Sequence, residues 1–214
     1  MDEEITIIDS NTRNERIKNF FINNKKKLIL TVSLILVIII GYLSFEKSKE
    51  RTKIKLANKY NLAFIDLNPD NKQKTINEMV NVVKSNDATY SPLALYHLLD
   101  NNLLENNEEI NILFDELIEK TNLDNEIKNL IIYKKALFNS NIVSENELLK
   151  ILNPVINSES IWKSHSLYLL AEFFYSKNEK QKAKEFFNQI IVLPNANSTI
   201  KAESQKRLNR DLGE

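Results

Sequence analysis

Residues 28–45 form an uninterrupted run without a charged side chain, and most of them are Leu, Ile or Val. At a rise of about 1.5 Å per residue, a helix of this length spans about 27 Å, close to the hydrocarbon thickness of a bilayer. Helices of soluble proteins rarely stay apolar on every face over such a length, which argues against a buried core helix. The pattern therefore predicts a single transmembrane helix over 28–45.

A cleavable signal peptide is the competing interpretation of this run. It is disfavoured because 27 residues precede the run and because no small-x-small cleavage site follows it. We therefore interpret the segment as an uncleaved signal anchor. Tyr42 and Phe45 then suit the headgroup boundary at its far end.

Basic residues flank the run on both sides, so the positive-inside comparison is a tie. Arg13, Arg16, Lys18, Lys25, Lys26 and Lys27 precede it, and Lys47, Lys49, Arg51, Lys53, Lys55 and Lys59 follow it. Three of these lysines adjoin the start of the run directly, and a long C-terminal domain can be translocated whatever its charge. We expect residues 1–27 to be a cytoplasmic tail, 46–52 a charged linker, and 53–214 a domain on the opposite side.

The tail contains Ile17, Phe20 and Phe21 at helical spacing. This segment is either an amphipathic helix along the inner leaflet or a helical lead-in to the span. Its residues leave both interpretations open.

Beyond residue 52, apolar residues recur at spacings of three and four, interrupted by loop signals. The pattern predicts four helix pairs and a final helix, with a capping box at Ser144 and Glu147 and with Ser158 or Ser160 capping the seventh helix of the domain. The predicted ranges are 53–67 (ended by Asn68, Pro69 and Asp70), 72–84, 91–104, 108–120, 124–139, 144–153, a helix ending at 176, 179–193 and 198–209.

Four tyrosines recur at separations of 36, 37 and 35 residues, each opening a similar four-residue segment. A near-constant period of this size is typical of a solenoid of stacked helix pairs, whose first helices line a curved surface. We expect Tyr60, Tyr96, Tyr133 and Tyr168 to lie on those first helices, in a candidate protein-binding groove. Packing within the domain is the other role open to them.

The last full period resembles the tetratricopeptide repeat family. The matching residues are Leu170, Ala171, Phe174, Ala183 and Phe187, with Pro194 near the expected terminal proline. The chain departs from that pattern at two glycine-favoured positions, Ala171 and Asn178. The resemblance implies an all-α, tetratricopeptide-like solenoid of about four helix pairs with a C-terminal capping helix.

The whole layout resembles the bacterial YfgM-like proteins, which are ancillary subunits of the SecYEG translocon. The charged segment RNERIKNFF before the span and Trp162 at the opening of the last full repeat belong to this resemblance. It implies an inner-membrane protein with a periplasmic domain that contacts the translocon and passes emerging chains to periplasmic chaperones. It implies no active site. A scaffold for another envelope complex, in outer-membrane assembly or cell division, is the alternative.

The amino-acid composition further restricts the fold class and the kinds of binding site that the chain can have. Two glycines and four prolines in 214 residues favour an all-helical chain, and 29 basic against 29 acidic residues give no excess that would indicate nucleic-acid binding. The chain has no cysteine, which excludes disulfides and thiolate metal sites.

Candidate chemistry is sparse. The histidines His97 and His165 are 68 residues apart, and packing or surface roles are favoured over a metal pair. Trp162 is interpreted as a packing residue. Carboxylates alternate with apolar residues as on a solvated helix face, and no glycine-rich phosphate loop is present. We expect no enzyme activity, cofactor or metal site, and we expect a membrane and other proteins as partners.

Overall fold

The computed structural model describes the backbone of residues 2–68 and 70–213 and the side chains of residues 12–68 and 70–213. Within these residues every regular element is an α-helix, which confirms the all-helical class. The helices are α1 (Asp2–Ile65), α2 (Lys72–Val83), α3 (Tyr90–Asp100), α4 (Asn107–Lys120), α5 (Asn125–Asn139), α6 (Glu145–Ile156), α7 (Lys163–Ser176), α8 (Lys180–Val192) and α9 (Ser198–Asp211).

Helix α1 contains the apolar run. Of the described helices, it is the one that is long and apolar enough to cross a membrane, and none of its most apolar stretch is buried. The structure divides into two compact units, residues 1–55 and 56–214, and the boundary falls inside α1.

The sequence predicted a linker at 46–52 and a new helix from residue 53, but α1 continues through both to Ile65. The reason is local. The linker is rich in Glu, Lys and Arg, which favour helix, and no proline occurs before residue 69. Pro69, part of the predicted stop signal, lies outside the described residues.

Most predicted helix boundaries in residues 70–213 agree with the structure to within one or two residues. The predicted capping box is confirmed: Ser144 Oγ accepts from the Glu147 N–H, and the Glu147 carboxylate accepts from the Ser144 N–H at 2.9 Å. Asn106, Asp124 and Asn197 cap α4, α5 and α9 through their side-chain oxygens. Short polar side chains therefore cap four of the eight helices α2 to α9, and the sequence predicted the one at Ser144.

Three predicted boundaries are wrong. Helix α3 ends at Asp100 instead of 104, and α6 continues beyond 153 to Ile156 with Pro154 exposed in its last turn. Helix α7 begins at Lys163, after an N-cap at Trp162. Neither serine caps it directly, because Ser158 Oγ accepts from the Ser160 N–H and Ser160 Oγ accepts from the Trp162 N–H. These two serines shape the preceding turn.

Two asparagines close the turns after α3 and α7 in the same way. Asn102 and Asn178 take positive φ angles of 48° and 62°, directly after α3 and α7. The next residue's N–H then bonds back to the helix, Leu103 to the Leu98 carbonyl and Glu179 to the Phe174 carbonyl, both at 2.9 Å. Asparagine tolerates this left-handed conformation, in which glycine is otherwise the common residue.

Helices α2 to α9 pack in chain order, each against the next, and the most extensive packing is between α7 and α8. Alternate helices also touch: α2 with α4, α5 with α7, and α7 with α9. Ala171, which is fully buried, lies in α7 where a small side chain allows close helix approach.

The buried side chains of the second unit fall into two hydrophobic clusters. One extends from Ala63 to Ile131 and is centred on α2, α3 and α4. The other extends from Ala136 to Leu212 and is centred on α6, α7 and α8. Helix α5 contributes to both clusters, so it joins the two halves of the core.

Candidate functional site

The four tyrosines of the predicted groove lie on α1, α3, α5 and α7, the first helices of the four pairs. All four are half-buried. Each makes an aromatic or cation–π contact within the second unit.

Tyr60 and Tyr96 lie in the first half of the unit. The Tyr60 ring centroid is 5.9 Å from that of Tyr90, at the start of α3. Lys134 Nζ, on α5, lies 4.5 Å from the Tyr96 ring centroid. The Tyr96 hydroxyl is buried and has no hydrogen-bond partner among the described residues, and burial raises its pKa to about 12.

Tyr133 and Tyr168 lie in the second half. Tyr133 stacks on Trp162, with centroids 5.8 Å apart and planes 20° apart, and it meets His165 edge-on. Tyr168 contacts Phe187 of α8 edge-on at 5.6 Å. Burial, followed by the nearby Glu172 carboxylate, raises the pKa of Tyr168 to about 12.

These contacts assign the tyrosines a packing role, which the sequence had left open. Their register also differs from that of the turns: Tyr96 precedes the end of α3 by four residues, and Tyr168 precedes the end of α7 by eight. Of the three described asparagines with positive φ, Asn102 and Asn178 occupy equivalent positions after α3 and α7, 76 residues apart, which is two periods of 38. The role of the tyrosines in a groove stays a prediction.

The two histidines occupy separate aromatic surroundings. His97 is buried against Phe64, with centroids 4.8 Å apart, and its Nδ1 is 3.2 Å from the Asn101 amide nitrogen. Burial lowers the pKa of His97, which favours its neutral form. His165 packs on Trp162 at 5.1 Å. Among the side chains described, no group of three or more His, Asp or Glu residues is placed to hold a metal ion.

A cleft of about 410 Å³ lies where α4, α5 and α6 meet. Because α5 packs against both other helices, it forms the base of the cleft, at the junction of the two hydrophobic clusters. This volume falls in the range of sites that hold small ligands or a few peptide side chains. The apolar lining consists of Ile118, Ile132, Val143, Ile151 and Pro154.

Polar side chains in the cleft hold α4 against α5. Asn111 and Asn139 exchange amide hydrogen bonds of 3.0 and 2.7 Å, and each amide nitrogen also donates to a backbone carbonyl within its own helix. Lys135 donates to the Asp115 carboxylate at 2.5 Å. The side-chain N–H groups of both asparagines are therefore already engaged in hydrogen bonds. Each Oδ1 accepts one hydrogen bond and can accept a second one.

The charged lining is balanced in sign. Asp115 and Glu147 contribute carboxylates, while Lys135 and Lys150 contribute ammonium groups. Hydrogen bonds from the Ser144 side chain and backbone lower the pKa of Glu147, so it stays ionised near neutral pH. This balance of charge indicates a surface suited to binding a peptide segment that has both apolar and polar side chains.

The amino-acid pattern did not indicate this cleft. Its central contacts join residues 20 and 28 positions apart, Asp115 with Lys135 and Asn111 with Asn139. Such pairs depend on how two helices cross. The available signal was the presence of polar residues facing inward on otherwise amphipathic helices, and Asn139 is now seen to be almost fully buried.

Comparisons with protein-family models, curated proteins and solved structures found no match to this chain. The resemblance to the YfgM-like family therefore rests on the residues and layout given above.

Proposed function

We propose that this chain is a membrane-anchored, tetratricopeptide-like adaptor that binds other proteins. The observation that carries the proposal is the combination of an exposed, uncharged helical segment with a stack of helices that contains a mixed apolar and polar cleft. A tether beside a membrane raises the effective concentration of such a cleft near membrane partners, so individual contacts can be weak.

In this proposal the repeat domain is a tetratricopeptide-like solenoid. Support comes from the contacts between alternate helices and from the matching turns at Asn102 and Asn178. Further support comes from Ala171 and Ala183, which are fully buried at the tetratricopeptide-like positions of α7 and α8. Small residues at these positions allow the two helices of a pair to approach closely.

The cleft is the proposed docking site for a partner segment. Its isoleucine and valine lining accommodates apolar side chains, and the Oδ1 atom of Asn111, which is only partly buried, can accept a hydrogen bond from a peptide backbone.

The proposed location is the bacterial inner membrane, with the N-terminus in the cytoplasm and the helical domain in the periplasm. The three lysines next to the apolar run support this orientation. From the family resemblance, the proposed partners are translocon subunits beside the span, and secretory clients or periplasmic chaperones at the cleft. The role is binding and not catalysis.

A photocrosslinking experiment tests the proposal in native membranes. Photoreactive residues replace Ile118 and Lys150 in the cleft and, in separate variants, positions within 28–45. The matched control is Ile112, which is exposed on α4 and lies outside the cleft lining.

We expect secretory proteins or chaperones at Ile118 and Lys150, translocon subunits at the span, and no enrichment at Ile112. Subunits of another envelope complex, without translocon signal, would replace the translocon role with the scaffold alternative. Equal capture at Ile112 and Ile118 would contradict the cleft as the docking site.

A further inference from the structure

The two ends of the apolar run carry different charge. Residues 23–27 are two asparagines followed by Lys25, Lys26 and Lys27, with a net charge of +3. Residues 46–50 contain Lys47 and Lys49 but also two glutamates, which gives a net charge of zero. Over ten residues the totals become similar, +4 for 18–27 and +3 for 46–55, so the asymmetry is confined to the first five residues.

These five residues correspond to a particular depth. At about 1.5 Å per residue they extend roughly 7 Å from the apolar run, which is about the thickness of one headgroup layer. Charges at this depth lie among lipid phosphates, and more distant ones are screened within a Debye length of about 8–10 Å. Each side of the run therefore presents a different charge to the headgroups it would meet.

The surroundings of the lysines differ as well. Lys25 adjoins an apolar surface formed by Phe21, Ile22, Leu28, Ile29 and Val32 of the same helix. A cation beside a continuous apolar strip matches the layout of a phospholipid, which joins an anionic phosphate to acyl chains. At the other end, Lys49 Nζ lies 5.1 Å from the centroid of the Phe45 ring, so that ammonium group already has an aromatic partner.

We infer that Lys25, Lys26 and Lys27 form a binding site for anionic phospholipid headgroups, with no equivalent site at residues 46–50. This inference rests on the proposed membrane span. It adds a lipid partner and a lipid preference confined to one leaflet.

The test uses the full chain in liposomes that contain equal amounts of phosphatidylglycerol and phosphatidylcholine. Spin-labelled versions of each lipid report its association with the protein, and the measured quantity is the ratio of the two association constants. The test variant replaces Lys25, Lys26 and Lys27 with Gln. The matched control replaces Lys47, Lys49 and Arg51 with Gln and removes the same number of charges.

We expect the wild-type chain to favour phosphatidylglycerol, the test variant to lower that preference by about fivefold or more, and the control to change it by less than about twofold. Salt near 1 M, where the Debye length is about 3 Å, should abolish the wild-type preference. Equal preference in all three proteins, or an equal loss in the control, would overturn the inference.

An alkaline-extraction assay distinguishes a failure of the lipid-binding site from a failure of the proposed membrane span. A wild-type chain that is extracted from the liposomes would overturn both. A chain that stays integrated but shows no lipid preference would overturn the lipid site alone.

Discussion

The apolar segment of α1 and the core of residues 56–214 are made of the same residue types, yet their surroundings are opposite. Val37 is 67% exposed, whereas Val82 is fully buried between helices. In the core, apolar residues recur every three or four positions with polar residues between them. In 28–45 apolar residues occupy every face of the helix, so no single protein face could cover them all. The period of apolar residues, more than their number, separates a surface covered by protein from one that a bilayer would cover.

This comparison predicts that phenylalanines in the two regions differ most in their effect on stability. Phe174 is buried and stacks on Phe186 at 5.5 Å, whereas Phe21 is exposed. Phe174→Ala should lower the free energy of unfolding of the helical domain by about 3–5 kcal/mol, because it leaves a cavity in the core. Trp162, the only tryptophan, reports this unfolding by fluorescence during urea titration in mild detergent.

Phe21→Ala is the matched control and should leave the urea midpoint unchanged. Similar losses for both variants would show that the buried and exposed apolar regions are not energetically distinct.

A charged residue within the apolar segment should oppose membrane insertion. Ile38→Arg is expected to disfavour membrane insertion by about 2.5–3.5 kcal/mol, since an arginine near the centre of a span is costly. The measurement is the fraction of protein that resists alkaline extraction from membranes. Ile54→Arg, at an exposed position outside 28–45, should have no such effect, and equal loss in both variants would argue against a span at 28–45.

Within the helical domain, Arg207 holds the last helix in place. Its guanidinium pairs with both oxygens of Glu172 on α7 at 2.7 Å, contacts Asp211, and lies 4.2 Å from the centroid of the Tyr175 ring. Arg207→Met should lower the free energy of unfolding by about 1–2 kcal/mol, because charge-assisted hydrogen bonds are lost. Lys206→Met, next to it and exposed, should have little effect. Equal urea midpoints for Arg207→Met and Lys206→Met would contradict this role of Arg207.

Much of the helical domain could be predicted from sequence because its signals are local. The capping box at Ser144 and the apolar spacing of α4 and α8 act within one or two turns, so those helices were predicted closely. The continuity of α1 was missed because charged residues at 46–52 resembled a linker, although they favour helix. The cleft was missed because its Asn111–Asn139 pairing is set by the packing of α4 on α5. The tyrosine period gave the correct helices but not equivalent positions on them.

A substitution in the turn after α7 should have a smaller effect on the free energy of unfolding. Asn178 has a φ of 62°, which glycine adopts freely and alanine does not. Asn178→Ala should lower the free energy of unfolding by about 1 kcal/mol, and Asn178→Gly should be nearly neutral. The two variants have to be compared in the same urea titration. An alanine variant as stable as the glycine variant would contradict the assigned turn geometry.

The smallest expected effect is a pH dependence at the end of α9. Arg210, and then Arg207, lower the pKa of Asp211 to about 2. Because the folded-state pKa lies below the unfolded value of about 4, this carboxylate stabilises the fold above pH 4 and loses that contribution as the pH falls toward 2. The difference in unfolding free energy between wild type and Asp211→Asn should therefore shrink between pH 4 and pH 2. A constant difference across that interval would contradict the assignment.

We propose that the apolar segment crosses a membrane and that the helical domain lies on the opposite side from the N-terminus. Because the chain has no cysteine, single-cysteine variants can be labelled without background. A membrane-impermeant maleimide applied to spheroplasts should label Asn195→Cys directly and Asn19→Cys only after the membrane is opened. Labelling of both sites in intact spheroplasts, or of Asn19→Cys alone, would contradict the claim.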